Sequence, residues 1–155
     1  MKITITVQSV ADEASRLIIR AAAGHDIDPL QQLRSLPADA GSVSLLTDVA
    51  RAELVGKLGC YYGDMQLRGG KWSVELWHPA WMRRVDDQAV SQLMHRLMAL
   101  TVAAHLLLPT CLAQEGAAYS RQADNLALTL VQLLDTLSVA PTPPPGSVRR
   151  RPHPF

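Results

Sequence analysis

The 155-residue chain carries 15 basic and 14 acidic side chains, a formal charge of +1, so no overall field exists to hold a polyanion by counterion release. Apolar residues make up 48% of it but aromatics only 5%, which calls for a core of Leu, Ala, Val and Met and favours close-packed helices. The length suits one domain with one core.

In chain order, residues 2–7 read as a short strand or extended segment, with Ile3, Ile5 and Val7 on one side and Thr4 and Thr6 on the other. Ser9 is the expected N-cap of a first helix over residues 10–22, with Asp12 and Glu13 in its first turn. Val10, Ala14, Leu17, Ile18 and Ala21 fall on one helical stripe, and Gly24 stops the run. Residues 24–41 hold Gly24, Pro29, Pro37 and Gly41 around Leu30, Leu33 and Leu36, a pattern that fits a short helical turn inside a loop. Ser42 opens a second helix whose expected apolar face is Leu45, Leu46, Val49, Ala52, Val55 and Leu58, ending near Gly59.

Over residues 64–78 the period changes from 3.6 to 2. Met65 and Leu67 alternate with Gln66 and Arg68, Gly69-Gly70 supplies a tight turn, and Trp72, Val74 and Leu76 alternate with Ser73, Glu75 and Trp77. This is a β-hairpin ended by Pro79. Asp86 or Asp87 caps a third helix reaching residue 108, with Val90, Leu93, Met94, Leu97, Leu100, Thr101, Ala104 and Leu108 along one stripe. Pro109 stops it, and a fourth helix over 111–137 repeats Ala123, Leu126, Ala127, Leu130, Leu133, Leu134 and Leu137. The short connection predicts that these two helices are antiparallel neighbours.

From Ala140 the composition changes to six prolines in 16 residues with three consecutive arginines, too few apolar groups to offset the entropy of ordering alone. The expected architecture is therefore mainly α: a four-helix, bundle-like domain over 1–139 with one β-hairpin insertion, and an extended, polyproline-like arm over 140–155.

The chemistry-bearing residues point away from catalysis. His25, His78, His95, His105 and His153 never pair at the i, i+4 spacing that sets two imidazoles on one helix face, so no metal is expected, and His105 reads as a satisfied core or interface histidine. No Ser or Cys stands in a nucleophile motif, and Gly69-Gly70-Lys71 lacks the earlier glycine of a phosphate loop. Asp12-Glu13 and Asp86-Asp87 sit at helix starts, where capping accounts for them. Cys60 and Cys111 fit no zinc spacing and read as reduced, buried thiols. No cofactor is expected. The opening MKITITVQ lacks the apolar core of a signal peptide, and the stretch 97–108, broken by Thr101 and His105, falls short of the ~20 residues of a membrane span, so a cytoplasmic protein is expected.

What remains is recognition. Trp72 is expected to anchor the hairpin on the helices, whereas Trp77 points to the opposite face; Trp77, Trp81, Arg83 and Arg84 are candidate partner contacts, since exposed aromatics and arginines concentrate in interfaces. In the arm, Pro143, Pro144, Arg149, Arg150, Arg151 and Phe155 are suited to lying along a partner's surface, where limited flexibility lowers the ordering cost.

The opening KITITVQSVADEASR, the hairpin WSVELWHP followed by Val85-Asp86-Asp87, and a last helix starting around Ala117-Ala118-Tyr119 before a basic, Pro-containing tail form a layout over most of the chain. That layout resembles small phage and prophage proteins of the head-to-tail connector, or neck adaptor, type. The resemblance implies a non-enzymatic helical subunit that assembles with copies of itself as a ring between portal and tail. Its extended termini would reach neighbouring subunits and portal or tail proteins, with DNA contact only by passage through the ring. It also implies residence in the cytoplasm of the bacterial host during assembly and in the virion neck afterwards. A monomeric helical regulatory or ligand-binding module is the alternative, and an enzyme with an unrecognised site ranks below both.

Overall fold

A computed structural model of the protein describes residues 2–25, 40–76 and 87–136. The order of elements is β1 (Lys2–Thr6), α1 (Val7–Ala23), α2 (Ala40–Leu58), a 3-10 turn (Gly59–Tyr61), β2 (Tyr62–Arg68), β3 (Lys71–Leu76), α3 (Asp87–Leu107) and α4 (Ala113–Thr136). The mainly helical architecture matches expectation. The loop turn expected around Leu30 to Leu36 and the arm from Ala140 lie outside the described residues.

The hairpin extends the sequence reading in one respect. β3 is the centre of a three-stranded antiparallel sheet in the order β1-β3-β2, so the N-terminal segment supplies a third strand. Gly69 and Gly70, at φ 57° and 71°, make the two-residue turn that joins Arg68 to Lys71, both in the left-handed region that such a turn demands. Only one sheet face is apolar: Ile3, Ile5, Trp72, Val74 and Leu76 are buried, and the alternate residues are polar. Trp72 anchors the hairpin as expected, at 1% exposure. Its indole N–H has no hydrogen-bond partner among the described residues, so packing area holds it in place.

The first helix starts three residues earlier than expected, and Ser9 is not its cap. The strand turns directly into the helix at Thr6, and the hairpin turn caps it from outside: Val7 N–H donates to the Gly70 carbonyl at 2.9 Å. Ser9 is left inside the first turn, its hydroxyl donating back to the Thr6 carbonyl at 2.8 Å. The expected stripe Val10, Ala14, Leu17, Ile18 and Ala21 is buried.

α2 buries a different face from the one its leucines and valines suggest. Thr47, Ala50, Leu54 and Leu58 are buried, whereas Val49 is exposed. Apolar residues surround this helix, so their count favours no single direction, and the small Thr47 and Ala50 take the inward side.

α3 runs through the middle. Every residue from Leu97 to Ala104 is buried, because α1, α2, α4 and β1 all pack against this helix. Its lone polar member there, Thr101, satisfies its hydroxyl on the Leu97 carbonyl at 3.0 Å. Leu108, expected on the stripe, is exposed because the helix has already ended at Leu107. The connection to α4 is a compact turn in which Leu112 N–H donates to Thr110 Oγ1 at 3.1 Å. Cys111 lies in that turn and is exposed, not buried; the Cys60 side chain lies outside the described residues.

Gly116 makes the α3–α4 crossing close. A Cβ there would lie 2.9 Å from Leu108 N and 3.2 Å from the Ala104 carbonyl oxygen, backbone atoms that cannot swing away. Gly116→Ala should destabilise the fold by about 1–3 kcal/mol through overpacking. Gly56→Ala, where a Cβ meets nothing within 4 Å, should stabilise it by about 0.5–1 kcal/mol through helix propensity. Denaturant or thermal melts of the two variants should therefore shift in opposite directions.

Candidate functional site

Two surfaces gather polar side chains from distant parts of the chain. The first is an open cleft of about 490 Å³ between β1, the start of α1 and the second turn of α3, lined by Thr4, Thr6, Ser9, Glu13, Ser91, Gln92, His95 and Arg96 among others. His95 Nε2 lies 3.0 Å from Ser9 Oγ, and the Arg96 guanidinium donates to Glu13, which Arg16 also approaches at 3.8 Å.

A serine beside a histidine and a carboxylate invites comparison with a nucleophile and its base. The proton positions argue otherwise. Ser9 has one hydroxyl hydrogen, and it is directed at the Thr6 carbonyl. His95 Nε2 must then donate to Ser9 Oγ, the reverse of what a general base does. Glu13 is engaged by Arg96 and does not orient the imidazole. The arrangement ties α3 to the start of α1, and what it leaves open is a polar cleft.

The second surface is the seam where the end of α2 meets the outer side of α4. Lys57 Nζ donates to Asp124 Oδ1 at 2.7 Å and lies 3.9 Å from Glu53, whose other oxygen is 2.7 Å from His105 Nε2. One turn of chain further on, the Tyr61 hydroxyl donates to Asp135. Between these polar ends lies a groove of about 260 Å³ floored by Ala127, Leu128 and Val131. Leu128 is 62% exposed, more than any other large aliphatic side chain among the described residues. His105 is thus satisfied by a carboxylate, as the sequence suggested.

At the other end of the fold, His25 and Glu115 are in side-chain hydrogen-bonding contact between the end of α1 and the start of α4. The hydrogen bond from His25 is the main reason that the Glu115 carboxyl titrates below its ordinary value. Nearby, Tyr119 donates to the Leu17 carbonyl at 3.0 Å, and burial raises its pKa against the opposing pull of Arg20 and Arg96. Among the described residues no three metal-ligating side chains converge, and no helix is long and apolar enough to cross a membrane.

The residues singled out from the sequence, Trp77, Trp81, Arg83, Arg84, Pro143, Pro144, Arg149, Arg150, Arg151 and Phe155, all lie outside the described residues. Both surfaces above were missed in the sequence. Their members come from segments 52 to 86 positions apart, and no local pattern marks them. No protein-family model, curated protein or solved structure matches the chain.

Two titrations test this geometry. Neutral His95 should be the Nε2–H tautomer, visible in its imidazole nitrogen shifts. A carboxyl with a depressed folded pKa adds stability above its unfolded value and loses it as pH falls through the folded one. The contribution of Glu115 should therefore be present at neutral pH and vanish in acid, and His25→Ala should move the Glu115 carboxyl titration upward in a carbon-detected NMR series.

Proposed function

We propose that this chain is a structural assembly protein of a phage or prophage particle. It forms a ring in the neck between portal and tail and docks its neighbours through the hairpin and the C-terminal arm. The observation that carries the reading is that the two most exposed large aliphatic side chains among the described residues lie on different elements, Leu67 on the hairpin at 48% and Leu128 on α4 at 62%. A ring of identical subunits is built head to tail, so each copy must present two unlike surfaces. Two exposed apolar positions on different elements, Leu67 beside Trp72 on the sheet and Leu128 beside Val131 on α4, meet that requirement. The sequence layout described above supports the same reading, and the work of such a subunit is assembly rather than chemistry.

The open cleft beside Ser9 and His95 favours a second reading, a monomeric module that takes a small polar ligand. The two readings differ in mass. Light scattering on the full chain, alone and with a portal ring, should show closed oligomers or a stable complex; a monomer under every condition would overturn the ring. Removing residues 140–155 should abolish incorporation into particles while leaving the melting temperature of the body nearly unchanged. Leu67→Glu should weaken oligomer formation by roughly tenfold, the effect of losing one well-packed interface contact.

A further inference from the structure

The cleft beside Ser9 and His95 has a strand edge for one wall. β1 lies on the outside of the β1-β3-β2 sheet. Val7 N–H donates to the Gly70 carbonyl, so the odd-numbered residues of β1 turn their backbone groups towards β3 and the even-numbered ones turn theirs away. The two-residue turn gives the same parity, because Arg68 and Lys71 flank it as a hydrogen-bonded pair and leave Trp72 and Val74 to bond β1. Thr4 N–H, Thr4 C=O and Thr6 N–H therefore point out of the sheet at two exposed positions that line the cleft. Among the described residues none of these three groups has a partner.

The other edge is closed. By the same alternation Met65 N–H points away from β3, and it donates to Asp64 Oδ1 at 2.8 Å, while Gln66 Nε2 donates to the second oxygen of Asp64 at 3.1 Å. A free edge is a template for another strand, and a side chain folded over it removes that option. One edge of this sheet is blunted and the other is open. In front of the open one lies a cleft of about 490 Å³, within the roughly 300–1,000 Å³ of ordinary ligand pockets.

A strand added to β1 would turn alternate side chains the way Ile3 and Ile5 point, towards α3, whose Ser91 and Gln92 line the cleft. The charged groups there are engaged, Arg96 with Glu13, and His95 donates to Ser9. The hydroxyls of Thr4, Thr6 and Ser91 and the amide of Gln92 remain to meet an occupant. A second copy cannot bring its own β1, because that strand's Ile3 and Ile5 already rest on its own α3, and two such helices would compete for the space under the joined sheet. Its β2 has Asp64 folded over the edge. The geometry points to an isolated extended segment of another protein, rich in neutral hydrogen-bonding side chains such as Thr, Ser, Asn and Gln, that adds to β1 as a fourth strand. The inference concerns a single copy and is independent of ring formation; it rests on the reading of the cleft as a binding site and makes a peptide its ligand.

The test follows backbone amide exchange by NMR in nitrogen-labelled full-length protein, with and without a capped seven-residue peptide of alternating Gln and Thr. In the chain alone, Thr4 and Thr6 N–H should exchange freely. Saturating peptide should slow both by at least about tenfold and leave Met65 unaffected. A matched peptide of alternating Glu and Val, which must turn one or the other towards α3, should bind about tenfold more weakly. Thr4→Pro removes only an outward N–H, which an edge strand tolerates, and should weaken the Gln and Thr peptide by about tenfold. Should that variant lose its sheet, the exchange pattern of the unaltered chain decides. Thr4 or Thr6 amides already protected in the chain alone, equal binding of the two peptides, or indifference of a folded Thr4→Pro variant would each overturn the proposal. The same spectra keep the two claims apart: shifts at Ser91 and Gln92 with Thr4 still exchanging freely sink strand addition alone, whereas no response in either place sinks the cleft as a binding site as well.

Discussion

The fold depends on one helix being covered from every side. From Leu97 to Ala104 no residue of α3 reaches solvent, so each neighbouring element must bring an apolar face to it. α1 brings Val10, Leu17 and Ile18, α2 brings Ala50 and Leu54, α4 brings Ala123, Ala127 and Leu130, and β1 brings Ile3 and Ile5. The hydrophobic effect is non-directional, so this demand sets which faces turn inward but not how closely they come. Small residues set the distance: Ala99, Ala103 and Ala104 on α3, and Gly116 on α4, where even a methyl group has no room.

Covering α3 uses up the inward faces of its neighbours and leaves their outer sides to polar contacts. There the polar contacts are long-range ties: Lys57 to Asp124, Glu53 to His105, His95 to Ser9 and Arg96 to Glu13. Each is exposed or half-exposed, so each adds little stability by itself. Their effect is positional. They hold α2 against α4 and α1 against α3, and so fix the walls of the groove and of the cleft.

Much of the fold was legible in the sequence. The stripe of α1, the helices on either side of Pro109, the alternation around Trp72 and the Gly69-Gly70 turn each announce themselves within a dozen residues, because period and turn chemistry are local. Misreadings occurred where local signals were degenerate or overridden. Apolar residues surround α2, so its inward face could not be counted from leucines and valines. Ser9 has the right chemistry for a cap, but a hairpin turn more than sixty positions away caps the helix first. Cys111 sits among apolar neighbours in sequence yet lies in an exposed turn.

By itself, then, the sequence determined the four long helices, the hairpin and its one-sided polarity, and the abrupt change to a basic, Pro-rich segment. Tertiary structure alone decided that the N-terminal strand completes a sheet on β3, that α2 turns Thr47 and Ala50 inward, and that Lys57 meets Asp124 beside an exposed Leu128. The physical reason is the same in each case. Periodicity records which side of an element avoids water, but what covers that side depends on packing between segments far apart in the chain.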